Sequence, residues 1–410
     1  MGATSQVARY TLENPDAIVE VLSLMTERLS RLKEPARRPI YLAGGWPQDA
    51  PPQVLRDALK ELAEDEAEFA SSARYGPSRG QPEFLEALIH YEEVVWGRSG
   101  VDVGELIVGM GSTELTSAFM LACMDPGSEL IVTRPGYLNY ARQAEVEGLL
   151  QVRVKWWTTV KNHEFNPDLE ELKELVTDRT RLIILCSPGN PDGQVLDGET
   201  LDGVVDIAQE RGVWVLVDVP YRAFCFGEPP RYYSRERREN EVWMCTLSKE
   251  LRIPGWRIAY AIADEKLVDA VDAIQQARTI CPSTLTQKIL LKVLTNDERL
   301  RELREFYEEG RRKYARAALE ACRCLEEGLP EVHVLRPMGG FFTFFDASAY
   351  DRDSRRLCRR LVREALVALT PGVAFGMEGW IRLAHSAVVE KPELIREAVK
   401  RMREVLYGRC

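Results

Sequence analysis

The sequence predicts an α/β fold: a mostly parallel sheet with helices on both faces, joined to a smaller α+β unit. Between residues 105 and 277, short apolar runs such as LIILC (182–186) and VWVLV (213–217) alternate with amphipathic stretches. That is the pattern of strands buried on both faces and connected by helices. From about residue 295 the texture changes to a long charged helix followed by the Gly-rich strand MGGFFTFFD. The 410 residues, 45% hydrophobic and 29% charged, have ordinary globular composition and enough length for two or three domains. These shifts divide the chain into 1–55, 56–295 (the large domain) and 296–410 (the small C-terminal domain).

In chain order, Ile18 to Leu32 is amphipathic, with Val21, Leu22, Leu24, Met25 and Leu29 at helical spacing. PARRP and a strand-like IYL lead to the loop AGGWPQDAPP (43–52), and the double proline starts a helix predicted over Gln53 to Glu66. SSARYGPSRGQP (71–82) reads as a loop before the amphipathic FLEALIHYEEVV. The strands predicted next are ELIVGM, ELIVTRP, QVRVKWW, RLIILCSP, VWVLVDVP, EVWMCTL and RIAYAIA. Helices are predicted at GSTELTSAFMLACM, YARQAEVEG, ETLDGVVDIAQERG and Glu265 to Ala277. The terminal part adds DERLRELREFYEEGRRKYARAALEACR, the strands VHVLRP and MGGFFTFFD, and a helix ending at Tyr407.

Composition excludes several functions. A net charge of −10 argues against nucleic acid as a main partner, and the basic cluster RYYSRERR (231–238) reads as a solvated face. Nine cysteines without a CxxC pair and four histidines without HExxH or HxH argue against a metal site. Unpaired thiols fit a reducing cytosol. No apolar targeting segment opens the sequence, and no apolar run is long enough to span a bilayer. A soluble, cytoplasmic protein with no membrane partner is expected.

Ligands of parallel sheets bind at the carboxyl ends of the strands, so the residues there carry the chemistry. Lys249 follows EVWMCTL in a chain where arginine is much commoner than lysine, and Arg257 opens the next strand eight residues later. A buried lysine beside a guanidinium has its ammonium form disfavoured and becomes a nucleophilic amine. Asp218 ends VWVLVD, with Tyr221 three residues on, and a buried acid needs a partner. Asn190 lies in the turn SPGNPDG, Tyr137 in RPGYLNY, and GMGSTE (109–114) places backbone N–H groups and two hydroxyls at a helix start. Each also has a plain reading: a surface lysine, a helix-capping Asp, a β-turn, an ordinary N-cap. Together, in this order, they are the groups that pyridoxal phosphate requires: an amine, an acid for the pyridine nitrogen, a phosphate cradle, a stacking ring and donors to the phenolate oxygen.

The ordered motifs LAGGWP, YGPSRGQPEFLEAL, VGMGSTE, DPGSELIVTRPGY, SPGNPDGQV, VDVPY, TLSKELRIPGWRIAY and IRLAHS resemble those of class I/II aminotransferases, pyridoxal-phosphate enzymes of fold type I, over essentially the whole chain. The resemblance implies that Lys249 is the Schiff-base lysine and the proton carrier, and that Asp218 pairs with the pyridine nitrogen. It implies that Tyr221 and Asn190 bond the phenolate oxygen and that Tyr137 stacks on the ring. Gly111, Ser112, Thr113, Thr246, Ser248 and Arg257 would hold the phosphate. Tyr75 would reach the phosphate of a neighbouring subunit, making a homodimer with shared sites. Arg382 would grip the substrate α-carboxylate as a fork, with the Gly45 backbone and Trp46 beside it and Asn190 also facing the substrate. The 56–295 domain would then be the cofactor-binding one.

The implied reaction moves an amino group from an L-amino acid to a 2-oxo acid, with 2-oxoglutarate as the expected acceptor. The same residues also serve lyases, decarboxylases and synthases, which remain the alternative reading. A nicotinamide oxidoreductase rests on Gly109-x-Gly111 alone, and a non-catalytic binding protein is opposed by Lys249. Asp192, where the family commonly has threonine, is expected to add negative charge near the substrate entrance. Val219-Pro220 stands where an acid and a small residue are frequent. Arg278 lies near the position of a group for a dicarboxylate side chain. The helix from Ile18 is expected to pack on a dimer partner or to cover the site.

Overall fold

The computed structural model describes residues 4–15, 17–30, 38–149 and 151–408. Seven strands form the main sheet: β1 (Leu106–Gly109), β2 (Glu129–Arg134), β3 (Arg153–Thr158), β4 (Thr180–Cys186), β5 (Trp214–Asp218), β6 (Glu241–Thr246) and β7 (Ala259–Ile262). Their spatial order is β1-β7-β6-β5-β4-β2-β3. All run parallel except β7, which lies antiparallel between β1 and β6, with Ala259 opposite Gly109 on one side and Thr246 on the other.

The strands are apolar on both faces because both are covered. Leu182, Ile184, Leu216, Val242 and Met244 pack on one side under the helices Ser112–Cys123 and Glu265–Arg278. Ile183, Leu185, Val215, Val217 and Trp243 face the other side, where the helices Pro82–Tyr91 and Gly198–Gln209 lie. This alternation within continuous apolar runs is the parallel-sheet signature.

A second, antiparallel sheet holds β8 (His333–Leu335), β9 (Phe342–Asp346), β10 (Thr370–Pro371) and β11 (Trp380–Ala384), in the order β8-β9-β11-β10. Its core joins Phe345, Ile381 and Leu383 to Ile395, Val399 and Met402 of the last helix, Glu393–Leu406. The 32-residue helix Asp297–Gly328 serves both units. Leu300, Leu303 and Tyr307 pack with the large core, while Ala321 and Leu325 pack with the small one. Ile40–Tyr41 pairs in parallel with Val367–Ala368, so the segment before the substrate loop belongs to the small unit.

Several boundaries differ from expectation. The helix after the double proline ends at Glu64, because Asp65 takes an extended conformation and its carboxylate accepts the Glu68 N–H at 2.9 Å. A second helix, Glu66–Ser72, therefore begins there and takes in Ser71 and Ser72, which read as loop. Arg257 does not open β7: it sits two residues ahead in a left-handed turn at φ +56°. The hairpin of Val160–Lys161 with Glu164–Phe165 and the helices Leu169–Leu175 and Thr284–Leu294 were not anticipated.

The N-terminal amphipathic helix spans Ala17–Ser30. It buries Val21 and Met25 against Ala43, Val362 and Ala368 of its own chain. Its Glu20 pairs with Arg355 at 2.7 Å and also with Arg359. The side chains of Ile18, Leu22 and Leu29, and all of Leu32, lie outside the described residues. Among the described residues no helix is long and apolar enough to cross a membrane.

Phe341, fully buried, meets Tyr221 at 4.9 Å, Phe224 at 5.3 Å and Phe342 at 4.9 Å between ring centroids. Phe341→Ala is expected to lower unfolding free energy by about 3–5 kcal/mol in urea titrations. A loss below about 1 kcal/mol would mean that this aromatic cluster does not hold the two units together.

Candidate active site

A cavity of about 470 Å³ opens at the carboxyl ends of the parallel strands. Gly45, Trp46, Ser112, Thr113, Tyr137, Asn190, Asp218, Tyr221, Thr246, Ser248, Lys249, Arg257 and Arg382 all line it. A larger groove, about 920 Å³, runs along Asp297–Gly328 and contains none of these residues.

Asp218 is the last residue of β5 and is 5% exposed. One of its oxygens accepts the Tyr140 hydroxyl at 2.6 Å, and the other, also buried, has no hydrogen-bond partner among the described residues. Burial pushes its carboxyl up to about 7, against the Tyr140 hydrogen bond and the Lys249 charge. Tyr140 also meets the Tyr137 ring edge-on at 5.2 Å, so one tyrosine braces both the acid and the aromatic wall.

Lys249 lies on the short helix Leu247–Glu250 that follows β6, and its Nζ donates to the Gly45 carbonyl at 3.2 Å. Burial and the nearby guanidinium of Arg257, with a further push from Arg382, bring its amine down to about 8 against the pull of Asp218. Thr246 starts this helix, its hydroxyl accepting the Ser248 N–H at 3.3 Å. Gly111, at φ +93°, stands before Ser112–Cys123, and a Cβ there would collide with the Arg257 guanidinium. Only glycine lets the arginine come that close to the helix N-terminus. Backbone N–H groups, hydroxyls and a guanidinium thus converge where an anion is favoured.

Arg382, on β11, is 1% exposed. It donates to Asn190 Oδ1 at 2.8 Å, the Ala43 carbonyl at 2.7 Å and Thr370 Oγ1 at 3.2 Å, and packs on the rings of Phe342 (4.4 Å) and Phe375 (4.8 Å). With the oxygen of Asn190 occupied, its amide nitrogen is the group left to donate into the cavity. Gly45 packs under this arginine: a Cβ there would sit 3.7 Å from Arg382 Nη1. Trp46 is 36% exposed at the rim and leans on Tyr41, ring centroids 6.0 Å apart.

Two expected residues are elsewhere in this chain. Tyr75 is 81% exposed and does not line the cavity. Arg278, at the end of Glu265–Arg278, pairs with Glu147 at 3.1 Å and lies outside the cavity wall of its own chain. Asp192 is at no entrance: it folds under its own turn, 4% exposed, accepting the Gln194 N–H at 3.2 Å. Burial pushes it up to about 7.

The wall includes residues that sequence reasoning missed. Tyr137 is the extended N-cap of the helix Leu138–Glu147, and Tyr140 lies in the first turn of that helix. Cys186 is in register with Asp218 across β4 and β5. Pro220 and Pro254 complete the wall.

A buried acid with one unpartnered oxygen, an amine held near neutrality and an anion cradle define a pyridoxal-phosphate site. These donors fit the cofactor's pyridine nitrogen, aldehyde and phosphate. Residues 38–402 match the family of class I and II aminotransferases. The chain belongs to that family and is a pyridoxal-phosphate-dependent aminotransferase of fold type I. It is 30% identical to the aspartate/prephenate aminotransferase of Thermus thermophilus over 90% of this chain and 91% of that one. It is 26% identical to the aspartate aminotransferase of Pyrococcus horikoshii over 93% of each. The structure of Thermus thermophilus aspartate aminotransferase with maleate superposes with a TM-score of 0.87 at 27% identity, covering 99% of this chain and 100% of that one.

The raised Asp218 carboxyl has a consequence in the cofactor-free protein. A group whose folded pKa is raised contributes stability fully below its unfolded value, here 3.8, and loses it as pH rises through about 7. The loss is on the order of 4 kcal/mol. Asp192 acts in the same window. Asp218→Asn is expected to remove roughly half of the fall in stability between pH 4 and 7, measured by urea unfolding. An unchanged pH slope would show that Asp218 is not held neutral by burial.

Proposed function

We propose that Lys249 is the catalytic residue and that the reaction moves an amino group from an L-amino acid to a 2-oxo acid, with 2-oxoglutarate as acceptor. The observation that carries this is the buried Lys249 amine, brought down to about 8 and facing Asp218, Arg257 and Arg382 across one cavity. Bound there, pyridoxal phosphate supplies an aldehyde that captures amines and a ring that withdraws electrons from the substrate Cα. The protein's own residues do the rest.

Lys249 Nζ would be the group that takes and carries the proton of the substrate Cα. Asp218 would hold the pyridine N–H through the oxygen that has no partner among the described residues and would keep that nitrogen positive. Tyr221 and the Asn190 amide would donate to the phenolate oxygen, and Tyr137 would stack on the ring. Gly111, Ser112, Thr113, Thr246, Ser248 and Arg257 would hold the phosphate. Arg382 receives the α-carboxylate, with Gly45 and Trp46 at its side, and so sets which Cα bond faces Lys249. Aspartate is the first donor to assay, after the names of the relatives.

The exposed Tyr75 supports a homodimer in which it completes the partner's phosphate site. The two apolar cores support a large domain of 56–295 that holds the cofactor and a small one of 296–410, with 1–55 joining it as arm and part of the small domain. The free cysteines among the described residues support a cytoplasmic location.

Lys249→Ala is expected to abolish turnover, by more than about 10⁴-fold, while keeping the unfolding midpoint near that of the parent. Retained transamination would remove Lys249 from the reaction. Arg382→Lys is expected to raise the KM for the amino acid by about 10- to 100-fold, since a point charge cannot reproduce the fork. An unchanged KM would place the carboxylate elsewhere.

A further inference from the structure

Lys249 and Tyr221 are each followed by a charged residue turned into the core: Glu250 and Arg222, both 0% exposed. Arg222 Nε meets Glu250 Oε1 at 2.6 Å, and its Nη2 meets Glu92 Oε1 at 2.7 Å. The second oxygen of Glu250 accepts the Tyr91 hydroxyl at 2.8 Å. Glu92 pairs in turn with Arg98 at 3.3 Å, and the Tyr260 hydroxyl accepts from Arg222 at 2.8 Å while donating to Glu92. The face of Arg222 rests on Trp96, and that of Arg98 on Trp243, both at 4.2 Å.

Two cations and two anions thus sit together in the core with no net charge. Desolvating four ions is costly, and well-packed apolar residues of similar volume are commonly as stable or more so. Stability alone does not call for this network. Its place does: it joins the two backbone segments that carry Lys249 and Tyr221. The helix Leu247–Glu250 has four residues, too few to hold its own shape. Side chains at 249 and 250 leave that turn about 100° apart, so an anchor on one sets the direction of the other.

We propose that the Arg222–Glu250 pair is a positioning device that fixes Lys249 and Tyr221 relative to Asp218. It rests on the assignment of those residues to the cofactor. Neither Arg222 nor Glu250 lines the cavity, so both act through the residue before them.

The test uses the holoenzyme. Arg222→Met alone strands a buried negative charge and Glu250→Leu alone a buried positive one, so each single variant should unfold at much lower urea. The double variant R222M/E250L removes a balanced pair and leaves Glu92 with Arg98, so its unfolding midpoint should return close to that of the parent. Positioning predicts that this stable double variant still loses kcat by about 10²-fold with KM for the amino acid changed less than about threefold. The pH midpoint of the bound cofactor's absorbance should also move, by about half a unit or more, because it reports the setting of the Lys249 amine.

A double variant with parental kcat and absorbance midpoint would overturn the proposal and leave the pair a structural one. If the double variant does not fold, Arg222→Lys, which keeps the charge and loses the fork, should lower kcat about tenfold and shift the absorbance midpoint. Parental values in that variant would equally overturn the proposal. Lys249→Ala run alongside separates the two readings. An active K249A variant refutes the lysine assignment itself, whereas an inactive one beside a normal R222M/E250L refutes positioning alone.

Discussion

A carboxylate at the end of a buried strand, with one oxygen bonded and the other lacking a donor, sets the terms for everything around it. Asp218 has nowhere to send its charge: β4 and β6 flank its strand, and its neighbour in register is Cys186. Among the described residues, the hydroxyl bonded to it belongs to Tyr140, which also braces Tyr137. A ligand that brings an N–H to the open oxygen is therefore recognised by what the protein lacks. The remaining donors of the cavity are placed around that requirement. Lys249 approaches from the next strand and Tyr221 from the loop after Asp218 itself.

Three cations share the cavity, and they are kept apart in function by how each is held. Arg382 is fully buried, bonded through both terminal nitrogens and packed on two phenyl rings. Such a guanidinium keeps its charge and orientation, as carboxylate recognition demands. Arg257 is solvent-facing and tied by its Nη1 to the Pro254 carbonyl at 2.7 Å, close above Gly111. Lys249 lies between the two, and burial together with these neighbours makes its amine the one group here that readily gives up a proton. The repulsion that would destabilise a merely structural cluster is what makes the lysine reactive.

The strand order was not legible in the sequence, but the strands were, because continuous apolar runs leave little choice between faces when both are buried. Asp218, Asn190 and Lys249 were legible for the same reason: each closes or follows such a run, and that is where a doubly covered sheet opens to ligands. Tyr140 and Cys186 escaped notice because their roles come from a contact with the distant Asp218, through a hydroxyl in one case and a strand register in the other, and neither is local. The helix end at Glu64 escaped for a smaller reason: an acid that continues a helical pattern can also cap the next helix. Asp192 was misplaced because a motif position does not say which way a side chain folds: here it turns back onto the Gln194 backbone N–H, while Arg278 turns to Glu147.

The reversed direction of β7 has a consequence for chain length. A parallel neighbour of β6 would need a crossover that carries the chain back to the opposite edge of the sheet, and the connector of residues 247–258 makes no such crossing. Because β7 turns back beside β6, the chain stays at the same edge of the sheet after leaving the lysine, and it presents Arg257 there before descending. The short spacing between the two residues is thus a record of topology written in sequence. Lengthening that connector would not merely move an arginine; it would separate the amine from the anion cradle, which only a hairpin-like return can keep side by side.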